Sequence, residues 1–420
     1  MSRRSIAFIV CLALVSSLFI MSSFAAGNTK IVFMNSKGEI QAQLEQAAKV
    51  FNQENPGIEL SIVTAPVGQS PQERLSALYA SGNAPALAML DGDVSAYKDK
   101  WTDLSKEKWV KSAMSGMLNS STFDGKVMTF PFCIEGFGFI YNKAILDKAG
   151  VDPATIKTTA GLKVAFEKVK ASGVDPLVVC REDWSLANHF LAVAYGDQSK
   201  KPADVEKFLS DLKAGKVDLA RNKIYNGLMA TLDVMKAYNS AAKDPMSADY
   251  NKCAELIGTG KVGFYMQGTW VWGMIQNFNP KGVYGYVPIP ISDNAADYGN
   301  SGIPVGPTKL VGIDKSNNTK AQQAAAKKFL NWLVSAPSGR KAWSTDMALA
   351  APFKGVPAPA DPLNQSLLQY AGKGRTVEFV ATLGGDHFKI IGASMQKYLL
   401  GAIDKAGLAK EIETWWKTQK

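Results

Sequence analysis

The sequence is poor in the residues that build metal and redox centres. It contains 2 His and 4 Cys among 420 residues, and no two cysteines form a CxxC pair. The patterns GxSxG, HExxH and Walker A are also absent. A GxGxxG match at residues 258–263 lies between a predicted helix and a predicted strand, whereas a dinucleotide site needs the strand first. These absences argue against an enzyme and against a histidine-based metal site, and we expect no cofactor.

Concentrated charge is missing as well. The 47 Lys and Arg residues exceed the 37 Asp and Glu residues, which gives a formal net charge of +10. The lysines are scattered, and no run of them is interleaved with aromatic residues. Scattered lysines solvate a surface, whereas a nucleic-acid site needs a basic patch. We therefore expect no nucleic-acid partner.

The first 25 residues predict export. A basic start precedes an apolar run from Ile6 to Met21, and small residues follow it up to Ala25. This order is typical of a secretory signal peptide that is cleaved after about Ala25, and the apolar run is short for a membrane span. Cys11 lies too early for a lipidation site. We expect a periplasmic protein that is not lipidated.

Three cysteines would remain after cleavage: Cys133, Cys180 and Cys253. An odd number allows at most one disulfide and leaves a free thiol. We expect all three to be buried small apolar residues, and the sequence leaves open whether any two of them pair.

Strand and helix patterns alternate through the first hundred residues. Apolar runs predict strands at 31–34, 58–63 and 87–90, and amphipathic periodicity predicts helices at 39–53 and 71–80. This βαβαβ order predicts a parallel sheet covered by helices.

Polar residues follow the carboxyl ends of these strands. Asn35 and Ser36 follow the first strand, Glu39 begins the next helix, and Asp91 and Asp93 follow the third strand. Amide and carboxylate groups at this edge can bind the hydroxyl groups of a ligand. For the two aspartates, a turn with a helix cap is the alternative, and their spacing does not fit an EF-hand.

An aromatic corner follows a later strand. The apolar run Val262–Met266 predicts a buried strand, which Gln267 and Gly268 interrupt. Gln267 and Trp270 then stand at the corner between this strand and a helix, where α/β proteins commonly bind ligands, so both are candidate ligand contacts. The alternative is that Trp270 fills the core, as large aromatic residues mostly do.

A second corner repeats this arrangement. Asp183 and Trp184 follow a predicted strand at 177–180 and precede a helix. Trp184 and Trp270 are therefore the candidate pair for stacking on a ligand. Glu135 is a polar residue in an apolar stretch, and a buried carboxylate needs a partner. Ligand hydroxyls or a hidden structural partner would both satisfy it.

Three segments resemble the extracellular solute-binding proteins of ABC sugar importers, family 1, of the maltose/oligosaccharide-binding type. They are STFDGKVMTFPFCIEGFGFIYNKAILDKAGVD at 121–152, GTGKVGFYMQGTW at 258–270 and KAQQAAAKKFLNWLV at 320–334. They occur in the family's order. The glycine-rich run at 298–302 resembles a family loop that reaches the cleft, and it adds Gly302 to the candidate site.

The resemblance implies an α/β, two-lobed periplasmic-binding-protein fold of type II, with parallel or mixed sheets flanked by helices and a hinged cleft. It places residues 26–133 and 288–335 in the N-terminal lobe, and residues 134–287 and 336–420 in the C-terminal lobe. It also implies a monomer that delivers a mono- or oligosaccharide to a membrane permease.

The candidate residue types suit a sugar. A pyranose offers a CH-rich face to an aromatic ring and a rim of hydroxyl groups to acids and amides. We expect a carbohydrate receptor. The alternatives are the same fold binding a polyamine, ferric ion or phosphorylated polyol, and a secreted glycoside hydrolase that uses two carboxylates. The few arginines and the tryptophan corners favour the sugar.

Overall fold

The computed structural model of the chain describes residues 27–64, 70–92, 94–380, 383–384 and 386–419. The predicted signal peptide with its cleavage and lipidation, and the candidate Asp93, lie outside these residues. Within the described ranges, no helix combines the length and the apolar character that crossing a membrane requires.

Strands and helices alternate along the described chain. The strands are β1 (Thr29–Asn35), β2 (Ile58–Thr64), β3 (Leu87–Asp91), β4 (Thr122–Phe123), β5 (Lys126–Val127), β6 (Thr129–Asn142), β7 (Asp175–Val178), β8 (Val262–Gly268), β9 (Tyr284–Val287), β10 (Ile303–Ile313) and β11 (Thr376–Glu378). The α-helices are α1 (Gln41–Glu54), α2 (Pro71–Ala80), α3 (Lys143–Lys148), α4 (Thr159–Ala171), α5 (Ala192–Gly196), α6 (Pro202–Lys213), α7 (Lys223–Tyr238), α8 (Tyr250–Gly258), α9 (Trp272–Phe278), α10 (Lys320–Ser335), α11 (Pro337–Lys341), α12 (Pro362–Gly372), α13 (His387–Leu399) and α14 (Lys405–Thr418). Two π-helical segments, Ser185–Leu191 and Ala342–Asp346, interrupt this series.

The sheet confirms the predicted parallel start of the chain. Strand β1 pairs in parallel with β2 on one side and with β3 on the other, which is the arrangement that a βαβαβ run produces. The full strand order is β2-β1-β3-β10-β6-β8-β7, with β11 on β10 and β9 on β6. Strand β10 runs antiparallel to both β3 and β6, so the sheet is mixed.

Strand β6 belongs to both halves of the molecule. Its first part, up to Gly136, pairs with β10, and its second part, from Phe137, pairs with β8 and β9. We call the part built around β1–β3 the first lobe and the part built around β7–β9 the second lobe. The observed architecture is therefore the expected pair of α/β lobes, and β6 passes from one to the other.

Each lobe has its own apolar core. The first-lobe core packs Phe33 of β1 with Phe329 of α10, and the second-lobe core packs Phe139 of β6 with Phe166 of α4. Trp343 also packs in the first-lobe core, and its Nε1 donates to the backbone oxygen of Phe132 at 3.0 Å. The predicted division had put this tryptophan in the C-terminal lobe. The lobe bounds as a whole stay a prediction.

Two predicted elements differ from the structure. The Pro-, Gly- and Asn-rich composition of 288–312 predicts an irregular loop with a short strand at 310–313, but β10 already begins at Ile303. Prolines argue against a central strand, yet a register shift beside Pro307 lets this one pair on both sides. The sequence pattern also predicts a helix over 245–257, but the helix begins at Tyr250, because the side chain of Asp249 caps it there.

The three cysteines are buried with free thiols, as predicted for small apolar residues: Cys133, Cys180 and Cys253.

Candidate functional site

A cavity of about 660 Å³ lies between the two lobes. Its first-lobe side comes from the ends of β1 and β3 and the start of α2, and its second-lobe side comes from the two tryptophan corners and the region of α13. Seven of the predicted site residues line it: Ser36, Glu39, Asp91, Glu135, Asp183, Trp184 and Trp270. Several strand ends therefore converge on this cavity.

Asn35 was predicted as a ligand contact, but it is buried beside the cavity and does not line it. Its Nδ2 donates to the Lys37 backbone oxygen and to Gln41 Oε1, both at 2.9 Å, and its Oδ1 accepts from the Lys37 backbone nitrogen. All of these bonds are internal. Asn35 therefore shapes the turn after β1.

Gln267 and Gly302 also lie away from the cavity lining. Strand β8 continues through Gly268, and the buried Gln267 side chain donates to the Tyr265 hydroxyl at 3.0 Å. Gly302 packs closely against the backbone of Arg375, where an added Cβ would lie 2.8 Å from the carbonyl oxygen. Both positions serve internal packing.

An aromatic wall lines the second-lobe side of the cavity. Trp184 and Trp270 do not stack on each other, because the ring of His189 lies between them. The His189 ring is 4.6 Å from Trp270 at 35° and 5.5 Å from Trp184 at 81° between ring planes. Gly268 is required here because a Cβ would lie 2.2 Å from the Trp270 ring.

His189 is a residue of this cavity that the sequence did not reveal. It lies in the π-helical segment that follows Trp184, and segments of this kind are frequent at functional sites. Burial lowers the pKa of His189 to about 3, so the ring is neutral at physiological pH. No sequence pattern marks this histidine, since the π-helical turn that brings it beside both tryptophans is set by tertiary packing.

Glu135 has a structural partner that the sequence also did not reveal. Lys37 Nζ lies 2.7 Å from Glu135 Oε1, and the Thr308 hydroxyl donates to Oε2. Burial would lower the pKa of Lys37, but the adjacent carboxylate raises it above its ordinary value. Burial would raise the pKa of Glu135, but Lys37 and Lys309 lower it, so the pair stays ionised.

A second ion pair lies beside the first. Lys309 contacts the carboxylate of Asp91, and this contact raises the pKa of Lys309 although burial opposes it. Asp183 shows a pKa shift in the direction opposite to that of Glu135, because burial raises the pKa of its carboxyl group. Its Oδ1 accepts a hydrogen bond from the Trp184 backbone nitrogen at 2.6 Å. Two of the cavity's acids are therefore neutralised by lysines.

The cavity mouth is bridged by an ion pair between the lobes. Lys389 of α13 lies 3.0 Å from Glu73 of α2, and neighbouring residues of both helices line the cavity. In the ranges that the structure describes, no group of three or more His, Cys, Asp or Glu residues could hold a metal ion. The site is therefore built from aromatic faces, paired charges and neutral hydrogen-bonding groups.

Comparison with known sequences shows distant relatives. An uncharacterized ABC transporter extracellular-binding protein from Pyrococcus horikoshii is 24% identical over 367 residues, which cover 81% of this chain and 75% of that protein. A multiple sugar-binding protein from Streptococcus mutans is 24% identical over 335 residues, which cover 78% of this chain and 76% of that protein.

Comparison with solved structures shows the fold. The solute-binding protein RafE in complex with raffinose matches with a TM-score of 0.79 at 18% identity, covering 93% of this chain and 99% of that one. A sugar transporter from Bacillus licheniformis in complex with stachyose matches with a TM-score of 0.72 at 20% identity, covering 93% and 99%. The family model described as bacterial extracellular solute-binding protein matches residues 46–368, which is well over half of the chain. The expected two-lobed fold and family are confirmed, and the chain belongs to the bacterial extracellular solute-binding proteins.

Proposed function

We propose that this protein is the receptor of an ABC importer, which binds a short oligosaccharide between its lobes, closes around it and presents it to a membrane permease. The observation that carries the proposal is the cavity between the lobes, with the aromatic faces of Trp184 and Trp270 on one side and polar groups on the other. A sugar ring needs both, since its CH face packs on an indole and its hydroxyls need hydrogen-bonding partners.

The size of the cavity favours more than one sugar ring. Pockets that bury drug-sized ligands measure about 300–1,000 Å³, and 660 Å³ lies in the middle of that range. A disaccharide or trisaccharide is a ligand of this size, whereas one hexose would leave much of the space to water. The raffinose and stachyose bound by the structural relatives are consistent with this choice.

The paired charges disfavour the other ligands. A polyamine needs several unpaired carboxylates, and the pairing of Asp91 and Glu135 with lysines leaves fewer of the cavity's acids for it. A phosphorylated polyol needs free cations, but Lys389 is paired with Glu73, and no arginine is found among the described residues of the cavity lining. For a glycoside hydrolase, one carboxyl must hold a proton. The ion pair lowers the pKa of Glu135, so Glu135 does not fit that role, whereas burial raises the pKa of Asp183.

A thermal-shift screen tests the function. A sugar that binds only the folded state adds about 2.7 kcal/mol of stability at 100 times its Kd, so raffinose, stachyose, melibiose and xylo- and chito-oligosaccharides would raise Tm if they bind. Putrescine, ferric citrate and glucose 6-phosphate serve as the competing classes. A Tm shift with one of these and with none of the sugars would reject the carbohydrate function, and release of reducing ends would indicate a hydrolase.

We also propose that the protein acts in the periplasm as a monomer, after removal of about 25 residues and without a lipid. Family membership and the apolar start of the sequence support this. Intact-mass spectrometry of the exported protein tests the cleavage and the lipid together, and sedimentation velocity tests the monomer.

A further inference from the structure

Three buried side chains connect the second-lobe core to Asn188, which lines the cavity. Trp416 Nε1 donates to the Tyr195 hydroxyl oxygen at 3.3 Å. The same hydroxyl lies 3.3 Å from His387 Nε2, and His387 Nδ1 lies 2.7 Å from Asn188 Oδ1. Asn188 belongs to the π-helical segment that also carries His189 of the aromatic wall. The four groups form one continuous chain of hydrogen bonds.

The direction of each bond follows from the donor at the far end. An indole N–H can only donate, so the Tyr195 oxygen accepts from Trp416 and its own hydrogen is left for His387 Nε2. Nε2 is then an acceptor, and the neutral imidazole carries its proton on Nδ1. Burial lowers the pKa of His387 to about 3, so the ring is neutral throughout the physiological range. Nδ1–H then donates to Asn188 Oδ1.

The opposite tautomer would leave a buried donor unsatisfied. With the proton on Nε2, the Tyr195 hydrogen would need another acceptor, and the described residues give its hydroxyl no partners besides His387 and Trp416. The Asn188 amide would also have to flip, so that its Nδ2 donates to the unprotonated Nδ1 of His387. A buried donor without an acceptor is destabilising. The network therefore selects a single orientation of the amide.

We propose that Asn188 is a specificity-determining residue that presents its Nδ2 hydrogens to the bound ligand, and that His387 and Tyr195 are positioning residues that hold it in this orientation. This inference rests on the proposed carbohydrate function, and it specifies the ligand atom to which Asn188 donates. The atom is an ether oxygen of the sugar, in the ring or in a glycosidic link, because such an oxygen accepts hydrogen bonds and cannot donate.

The rest of the cavity supports this choice of atom. Its carboxylates can accept from the ligand's hydroxyl groups, so hydroxyls have partners without Asn188. Several other donors are engaged or shielded. Lys309 is paired with Asp91, the Gln72 amide donates to the Asp91 backbone oxygen, and Ser36 Oγ and His189 Nδ1 are themselves buried. The Asn188 amide makes no other side-chain hydrogen bond among the described residues. The Asn188 amide is therefore available to donate to an ether oxygen of the sugar.

The tautomer can be observed without any ligand. Because the chain has only 2 His, protein labelled with 15N-histidine gives two imidazole patterns in a long-range 1H–15N correlation spectrum, and His189→Gln identifies which one belongs to His387. We expect His387 to show a protonated Nδ1 and an unprotonated Nε2. A protonated Nε2 in the wild-type protein would overturn the proposed orientation.

Binding then tests the ligand contact. Asn188→Asp keeps an oxygen for His387 Nδ1 but replaces the amide hydrogens with a second oxygen, so the Kd for the tightest binder among raffinose, stachyose, xylotriose and chitotriose rises by about tenfold or more. Tyr195→Phe frees Nε2, so the second tautomer appears and the Kd rises by roughly three- to tenfold. Wild-type affinity in Asn188→Asp would contradict the proposal.

Tyr225→Phe is the matched control. Tyr225 is buried in the same core and donates to the Lys405 backbone oxygen at 2.9 Å, but it has no bond to His387. This variant loses one buried hydrogen bond and keeps both the wild-type tautomer and the wild-type Kd. A Kd raised as much as in Tyr195→Phe would mean that stability alone explains the effect. If the wild type binds one of the competing ligands and none of the sugars, the carbohydrate function is wrong, and the histidine spectrum alone then judges the amide orientation.

Discussion

Replacing Trp270 tests the stacking surface directly. The indole lines the cavity, and covering one of its faces with a sugar ring removes about 100 Å² of apolar surface from water. At about 25 cal/mol per Å², this contributes about 2–3 kcal/mol to binding, or roughly 30- to 150-fold in Kd. We therefore expect Trp270→Ala to lose most of the affinity for the sugar that binds the wild type. Isothermal titration calorimetry measures the change.

The stability of the variants must be separated from their affinity. The Trp270 ring packs on His189, so Trp270→Ala leaves space beside the histidine and lowers Tm. Trp270→Leu keeps apolar volume there but removes the flat face. Trp332→Phe is the remote control, because Trp332 is buried in the first lobe and its Nε1 donates to Glu54 at 2.7 Å. It should lower Tm and leave the Kd unchanged.

Unchanged affinity in a folded Trp270→Leu protein would refute the stacking role. If Trp270→Ala fails to fold while Trp270→Leu folds and binds normally, Trp270 is a core residue, which is the alternative that the sequence left open. A large loss of affinity in the Trp332 control would show that any weakening of the fold impairs binding.

Three further changes probe the charges. Lys37→Met leaves Glu135 buried without its partner, so we expect a loss of about 3–5 kcal/mol in the free energy of unfolding by urea. Glu73→Gln removes the ion pair with Lys389 across the cavity mouth, so small-angle scattering of the ligand-free protein should show a more open form. The double variant Glu73→Lys with Lys389→Glu exchanges the two charges and should restore the wild-type form. Burial raises the pKa of Asp197 to about 8, and neither of its carboxylate oxygens has a partner among the described residues. Between about pH 4 and pH 8, the folded state therefore holds a proton that the unfolded state has released. The free energy of unfolding falls as pH rises through this range. Asp197→Asn should raise Tm more at pH 8 than at pH 5.

Each of these expectations has an outcome that would contradict it. Wild-type stability of Lys37→Met would mean that Glu135 is satisfied without the lysine. A scattering profile of Glu73→Gln identical to that of the wild type would show that the pair with Lys389 does not hold the lobes together. A gain from Asp197→Asn that is equal at both pH values would show that the carboxyl does not titrate in this window.

The cavity could be located from the sequence, whereas most of its charge chemistry could not. Apolar periodicity predicts β1–β3, and the rule that ligands lie beyond strand ends brings Trp184, Trp270 and Asp91 to one place. The lysine that pairs with Glu135 lies 98 residues earlier in the chain, and no local pattern connects the two. No local pattern marks His189 either, because tertiary packing sets the π-helical turn that brings it beside both tryptophans.

The observed bounds of β8 and β10 explain where the other expectations from the sequence differ from the structure. Gln267 was expected at a loop tip, but β8 includes it and places its side chain inside the lobe. Strand β10 contains Pro304 and Pro307, which favour a loop in a local analysis, and it is held by β3 and β6 on its two sides. Long-range pairing therefore outweighs local propensity at these positions.

Strand β6 ties the stability of one lobe to that of the other. Its 14 residues form one continuous strand, and an added Cβ at Gly136, near its middle, would lie 2.7 Å from the Pro304 carbonyl oxygen. Denaturing either lobe would strip one half of this shared strand of its partners and weaken the pairing that remains. We therefore expect a single cooperative unfolding transition, with amide hydrogens on both sides of Gly136 exchanging at the same slow rate.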